Sequence, residues 1–367
     1  MIDKTFIDLG GVNYPLFVGP GLISDIPANY ASYGGKGRAY LIIDEYIYAN
    51  FTSQIREIEG RLDAVLFKVK PGKGNKTFAA AMRIFADLDK HNISRDSTIL
   101  AIGGGVVGDL AGFIASCWYR GVNLIHVPTT LLSAVDSCLG GKTAINFKNT
   151  VNAVGTYHHP VSILIDTQLL AGLPEREISS GFGEIVKYSV LGAREITDIL
   201  ELGKVASLEQ LGTLIKLSLK EKERLVRGDV RESSNRLFLN FGHTIGHAIE
   251  FSTVFNGSEM LRHGEGVALG MIAIFRVCIS LGLLQESDME RLKRMLSEHG
   301  LPIAFEASSV DLSADRLSEK VVDLAFKDKK RTSNELRLVV VNGWGRPELY
   351  PTDNPELIAL GVKEVIV

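Results

Sequence analysis

The sequence predicts a two-part α/β fold, with a Rossmann-like parallel-sheet domain over residues 1–170 and a mostly α-helical domain over residues 171–367. Three observations predict it. A chain of 367 residues exceeds what one ordinary core holds. Its first half alternates short, wholly apolar runs with helical stretches, and beyond about residue 170 the apolar spacing becomes helical.

The strand candidates are Tyr40-Leu41-Ile42-Ile43 closed by Asp44, Thr98-Ile99-Leu100-Ala101-Ile102, Leu124-Ile125-His126-Val127 ending at Pro128, and Ser162-Ile163-Leu164-Ile165 ending at Asp166. Strands that are apolar on both faces belong in a parallel sheet covered by helices on each side. Ligands of such sheets sit beyond the strands' carboxyl ends, where these Gly, Asp and Thr residues gather. From Glu175 to Met295 helices predominate, with Leu208, Leu211, Ile215 and Leu219 on one face. Gly228-Asp229 and Asn256-Gly257-Ser258 break the run. A late β-like piece, Leu336–Val341, either returns to the first domain or caps the second.

Composition narrows the function classes. Hydrophobic residues make up 46% and charged residues 23%, the balance of a soluble globular enzyme. A formal charge of −3 gives no basic field for nucleic acid. No uninterrupted apolar run reaches the roughly 18 to 20 residues of a membrane span. The N-terminus lacks a signal pattern. Three scattered cysteines without a CxxC pair read as thiols in a reducing compartment. The expected location is therefore the cytoplasm, with neither nucleic acid nor membrane as partner.

Gly103-Gly104-Gly105-Val106-Val107-Gly108-Asp109 follows a predicted strand and opens a predicted helix. Glycines there let backbone approach a pyrophosphate, and the helix N-terminus offers free N–H groups. The spacing differs from GxGxxG, and close packing alone also selects glycine. Asp44, at an earlier strand end, is placed like an acceptor of ribose hydroxyls.

Of eight histidines, three fall close together: His243, His247 and His263. The first two lie one helical turn apart, on one face. Zinc commonly takes two imidazoles and a carboxylate and leaves a position open, and Glu184 is a candidate third ligand. The alternative is that these histidines cap helices or pair with Glu250 or Glu265. A divalent ion bound there would acidify a substrate hydroxyl and polarise the ketone formed when hydride leaves.

With these residues in view, the sequence resembles one family, 3-dehydroquinate synthase and its sugar phosphate cyclase relatives. The motifs that carry the resemblance are Gly103–Asp109, Tyr119-Arg120-Gly121, Pro128-Thr129-Thr130-Leu131-Leu132, Val135-Asp136-Ser137, Gly140-Gly141-Lys142-Thr143, Leu173-Pro174-Glu175-Arg176-Glu177 and Asn240–His247. The resemblance implies a dehydroquinate synthase-like fold, an N-terminal NAD-binding domain followed by a helical metal and substrate domain. It implies Glu184, His243 and His263 as ligands of Zn2+ or Co2+, and His247 as a proton carrier near the leaving phosphate. Lys142, Asn152, Asn240 and Lys330 would face that phosphate, with Arg120 supplied by the partner in a homodimer. Asp136, Lys187 and Lys222 would hold hydroxyls, and Arg236 the carboxylate of a small acidic sugar phosphate. Asp44, Lys76, Gly104, Gly105, Asp109, Thr129, Thr130, Asp136 and Lys142 would line the NAD.

The implied chemistry is a closed loop without net redox. One secondary alcohol is oxidised at the expense of NAD, phosphate leaves by β-elimination, the ketone is reduced again, the ring opens, and an aldol step closes the carbocycle. By sequence alone Lys222, inside Lys220-Glu221-Lys222-Glu223-Arg224, reads as part of a solvated helix face, as do Lys329 and Lys330 at the surface. Lys142, in an apolar neighbourhood, reads less so.

Two places depart from the family pattern. Lys73 stands where a glutamate is expected, which opens room for the extra phosphate of NADP, and Val151 stands where a lysine is expected. The competing readings are a sibling cyclase acting on sedoheptulose 7-phosphate or glucose 6-phosphate, which would not need Arg236, and a polyol dehydrogenase.

Overall fold

The computed structural model describes residues 2–148, 150–205, 207–332 and 336–367; the side chains of residues 73 and 328–332 lie outside that description, Lys73 and Lys330 among them. The chain forms two units, one of residues 1–173 with 226–230, the other of residues 174–225 with 231–367. The short Val226–Val230 segment in the first unit is absent from the simple division at residue 170. Its Gly228 N–H donates to Leu9 O at 3.0 Å, and Arg227 pairs with Asp8 at 2.6 Å.

The first unit is built on strands β1 (Asp3–Asp8), β2 (Asn13–Gly19), β3 (Ala39–Asp44), β4 (Val65–Val69), β5 (Thr98–Gly103), β6 (Asn123–Pro128), β7 (Lys142–Phe147), β8 (Thr150–Tyr157) and β9 (Ser162–Asp166). Among the described residues seven of them form one sheet in the order β1-β2-β9-β6-β5-β3-β4, parallel except for the antiparallel β1 edge. All four apolar runs read from the sequence are parallel strands of this sheet. Consecutive side chains in a strand point to opposite faces, so each run feeds two cores. Tyr40, Ile42, Ile99, Ala101 and Leu124 pack on one face with α4 (Phe78–Lys90) and α5 (Gly105–Cys117). Leu41, Ile43, Leu100, Ile102, Ile125, Val127 and Leu164 pack on the other with α1 (Leu22–Asn29) and α3 (Thr52–Leu62).

Helices α2 (Glu45–Asn50) and α6 (Thr167–Ala171) each begin at an aspartate that closes a strand. Asp166 is fully buried and accepts from the N–H groups of Gly21, Ile23 and Gln168 at 2.9–3.0 Å, which makes it a structural cap. The β7–β8 hairpin, which carries no apolar run, packs on α5.

The second unit holds α7 (Glu175–Leu191), α8 (Arg194–Glu201), α9 (Leu208–Val226), α10 (His243–Ser252), α11 (His263–Ser280), α12 (Glu286–Glu298), α13 (Ala314–Thr332) and α14 (Pro355–Lys363). A 3-10 turn over Asn235–Asn240 precedes α10. Strand β10 (Leu336–Val341) pairs antiparallel with β11 (Pro347–Thr352), so the late β-like piece belongs to this second unit. Helix α11 is its spine. It is long and apolar enough for a membrane span, yet 78% of it is buried inside the protein, which is the signature of a core helix.

His126, on β6, is buried against α5, and that burial first, then the neighbouring His158, lowers its pKa to about 4. As pH falls through 6.5 the unfolded chain takes up a proton that the folded chain refuses until about pH 4. Stability is therefore expected to fall across that window, by up to about 3 kcal/mol from this group. Urea unfolding at pH 7 and pH 4.5 should show a smaller acid loss in His126→Gln than in the wild type; equal losses would exclude His126 as the cause.

Candidate functional site

In the first unit several of the candidate nucleotide residues lie at neighbouring strand ends of the sheet. Strand order runs outward from β3 to β4 on one side and from β5 through β6 to β9 on the other, so the topological switch lies between β3 and β5. Open α/β sheets bind ligands at the carboxyl ends beside such a switch. Asp44 closes β3 there, and Gly103 closes β5. Gly104 caps α5, and a Cβ on it would lie 2.9 Å from Thr130 Cγ2, while one on Gly105 would lie 3.1 Å from Ser137 Oγ. Thr129 N–H donates to Gly103 O at 3.0 Å, locking the two neighbouring strand ends together. The glycines thus let Thr130 and Ser137 pack against the first turn of α5, a helix N-terminus of the kind that suits an anion.

Asp44 accepts from Tyr46 N–H at 2.8 Å as the cap of α2. Its carboxyl is raised, chiefly by burial and against the hydrogen bonds of Tyr46 and Ile47. The carboxylate thus serves as the cap of α2. Beside α5, Lys76 is buried, pairs with Asp109 at 2.7 Å, and donates to Asn152 Oδ1. Asn152 has a left-handed φ of 54° and donates its N–H to Asn146 Oδ1 at 3.0 Å. Lys76, Asp109 and Asn152 thus form one cluster, though the resemblance divides them between cofactor and phosphate.

Asp136 lies in the turn Ser133–Ser137. Lys142, at the start of β7, is exposed despite its apolar neighbours in sequence. Arg120 is exposed within a run of three positive φ angles, Tyr119 at 47°, Arg120 at 67° and Gly121 at 124°. Two consecutive non-glycine residues in that region carry strain, which proteins keep where a side chain must be presented.

The second unit assembles the histidines. Glu184 on α7 is completely buried, and its Oε1 lies 3.4 Å from His243 Nε2 and 3.5 Å from His263 Nε2. Those separations exceed a good N–H···O bond. Among the described residues Oε1 of Glu184 accepts no hydrogen bond, while Oε2 meets the Lys187 ammonium in an ion pair. Two ligands of a tetrahedral ion with bonds of about 2.1 Å stand roughly 3.4 Å apart, so the spacing fits a shared metal. The three histidines present ring nitrogens within 4.8 Å of one another, with His243 and His263 half-buried and His247 exposed at the rim.

Groups behind these side chains set their orientation. His243 Nδ1 lies 3.0 Å from Phe241 O, a carbonyl that only accepts, so Nδ1 is the donor there and Nε2 is the nitrogen turned to Glu184. His263 Nδ1 faces Glu250 Oε2 at 3.4 Å. Burial alone would raise the Glu184 carboxyl, but the Lys187 ammonium, then His243 and His263, hold it well below the usual range. Burial alone would lower His263, but Glu184 and Glu250 reverse that and push it up to about 9. The buried carboxylate is therefore ionised and compensated, as a cation site requires.

Close helix packing makes the cluster possible. A Cβ on Gly264 would lie 1.7 Å from Ser180 O, and one on Gly183 2.5 Å from Gly264 O. A Cβ on Gly270 would lie 1.9 Å from Gly242 O, and one on Gly246 2.6 Å from Gly266 O. Helices α7 and α10 thus meet α11 backbone to backbone.

Lys187, expected at a hydroxyl, ion-pairs with Glu184 and donates to Leu239 O at 3.0 Å. Asn240 donates to Glu232 Oε1 at 3.0 Å. Arg236 is 2% exposed and Lys222 5% exposed, so the lysine whose local pattern reads as solvated is buried. Lys330 lies outside the described side chains. The sequence reading assigned no part to Glu250 beyond a generic histidine partner, and none to Arg176. The spacing of Glu250 from His247, one turn along α10, was the available signal for the first.

Together the two clusters describe a class: an α/β nucleotide-binding enzyme with a carboxylate and imidazole metal centre on a helical unit. Residues 66–180 match the family described as 3-dehydroquinate synthase N-terminal, and residues 181–331 that described as 3-dehydroquinate synthase C-terminal. The 3-dehydroquinate synthase of Thermoanaerobacter pseudethanolicus is 33% identical over 97% of this chain and 99% of its own length. That of Xylella fastidiosa strain M23 is 36% identical over 92% of each. The crystal structure of 2-deoxy-scyllo-inosose synthase with carbaglucose-6-phosphate, NAD+ and Co2+ superposes with a TM-score of 0.83 at 25% identity, over 99% of this chain and 100% of that one. The chain belongs to the 3-dehydroquinate synthase family.

Glu184→Gln should weaken metal retention by more than the roughly 10- to 100-fold typical of losing a group behind a ligand. Metal analysis after dialysis checks this, and undiminished zinc content in the variant would remove Glu184 from the ligand set.

Proposed function

We propose that the chain is a phosphate-eliminating cyclase, a carbon–oxygen lyase, that converts 3-deoxy-D-arabino-heptulosonate 7-phosphate to 3-dehydroquinate and phosphate in the shikimate route to aromatic amino acids. The observation that carries this reading is the buried Glu184 facing the Nε2 atoms of His243 and His263, within a chain of this family. When bound, NAD supplies a reversible hydride acceptor, and Zn2+ or Co2+ supplies a Lewis acid for the oxygen being oxidised.

The rest of the task falls to the chain. Glu184, His243 and His263 would hold the ion. His247, one turn past His243 and exposed at the rim, is suited to moving a proton at a ring nitrogen during phosphate departure. Arg236, buried and planar, suits bidentate binding of the substrate carboxylate. Phosphate-binding roles go to Lys142, Asn152, Asn240 and Lys330, with Arg120 from a second copy of the chain in a homodimer. Hydroxyl-orienting roles go to Asp136, Lys187 and Lys222. Asp44, Lys76, Gly104, Gly105, Asp109, Thr129 and Thr130, with Asp136 and Lys142, would receive NAD. Three cysteines outside any disulfide support a reducing, cytoplasmic setting.

Phosphate release by the purified protein with NAD and zinc tests the reading on three substrates: the heptulosonate phosphate, sedoheptulose 7-phosphate and glucose 6-phosphate. Release from the first alone, without accumulating NADH, is expected. Release from either of the others would make the chain a sibling cyclase, and accumulating NADH a dehydrogenase.

Arg236→Ala should lose roughly 2 to 5 kcal/mol in kcat/KM on the acidic substrate, the usual loss for truncating one partner of a buried charge pair. Unchanged kinetics in a folded variant would end the carboxylate assignment.

A further inference from the structure

The motif Leu173-Pro174-Glu175-Arg176-Glu177 helps to mark the family, yet none of the roles above uses Arg176. Its place in the structure is specific. Arg176 sits in the first turn of α7, the helix that carries Glu184. Its guanidinium forks onto Glu265, with Nε to Oε1 at 2.7 Å and Nη2 to Oε2 at 2.7 Å, and Nη2 also donates to Met260 O at 2.6 Å. Glu265 is nearly buried, and its Oε2 accepts in addition from the Arg262 backbone N–H at 2.7 Å. One carboxylate therefore grips the residue before His263 and is itself gripped from α7.

Two further ties run from α7 to the segment 262–265. Gly264 N–H donates to Ser180 Oγ at 3.2 Å, and the Arg262 guanidinium pairs with Glu177 at 2.9 Å. Arg262, Gly264 and Glu265 are thus all held by α7, and His263 is the residue between them. The arrangement fixes one imidazole relative to the carboxylate it must share an ion with.

We propose that Arg176 and Glu265 are a positioning pair that holds His263 in register with Glu184 and so sets the affinity of the metal centre. This rests on the reading of Glu184, His243 and His263 as ligands. Global stability is a poor alternative account of the fork, because the Arg176 side chain is 52% exposed and ion pairs with an exposed partner contribute little. Helix capping alone is a poor account too. The Arg262 N–H occupies only one of the two oxygens, and a neutral glutamine would cap α11 equally well. Metal sites tolerate ligand errors of only about 0.2 Å, so loosening His263 acts directly on affinity.

The test uses the full chain stripped of metal with a chelator, then titrated with Zn2+ against a competing chromophoric chelator. Arg176→Met should bind Zn2+ about 10- to 100-fold more weakly than the wild type, the range for groups that orient a ligand. Arg176→Lys, which keeps the charge and loses the fork, should fall between them. Thermal melting of the metal-free variants should stay close to that of the metal-free wild type. Affinity within about twofold of wild type in Arg176→Met overturns the proposal; if that variant does not fold, the same result in Arg176→Lys does so. Equal and weak Zn2+ binding by the wild type and Glu184→Gln would instead overturn the ligand assignment itself, and the positioning pair with it.

Discussion

Everything in the second unit depends on how closely α11 is approached by its neighbours. Ordinary side chains hold helix axes about 8–10 Å apart. Here glycine meets backbone on two sides of the same helix, at Gly264 and Gly183 toward α7 and at Gly270, Gly242, Gly246 and Gly266 toward α10. That contact lets Glu184, His243 and His263, one from each helix, point at a single spot. Any side chain inserted at Gly264 or Gly270 would meet a carbonyl oxygen at under 2 Å and push α7 or α10 away from α11.

Close approach alone would leave a carboxylate stranded in an apolar interior. Burying an ionised group is costly unless it is paired. Glu184 is compensated by Lys187 on its own helix and by two imidazoles from the others. Lys187 is in turn anchored by Leu239 O, in the turn that also carries Arg236 and Asn240. The electrostatic partner of Glu184 and the turn that carries Arg236 and Asn240 are thus joined by one hydrogen bond.

In the first unit the sheet does comparable work by topology. The switch between β3 and β5 opens the strand ends where Asp44 and the glycine turn lie. These were legible in the sequence because each signal is local: an apolar run, a closing Asp, a Gly cluster. The β7–β8 hairpin was not, since its residues are mostly exposed and show no apolar alternation to mark them. The β1–β2 hairpin likewise escaped, β1 being almost wholly exposed at the sheet edge. Lys222 escaped for the opposite reason. Its charged neighbours read as solvent-facing, while the packing of α9 buries it together with Glu221.

Element type, the two-part α/β plan, the histidine cluster and the family were all readable from the residues in order, since periodicity, turn chemistry and motif spacing are properties of neighbours along the chain. Which oxygen faces which nitrogen was not. That His263 turns one nitrogen to Glu184 and the other to Glu250, that Glu265 answers to Arg176, and that Lys187 pairs with Glu184 were decided by the crossing of α7, α10 and α11. Residues so far apart in sequence meet only when backbones pack, and the directions their side chains take are set by that packing.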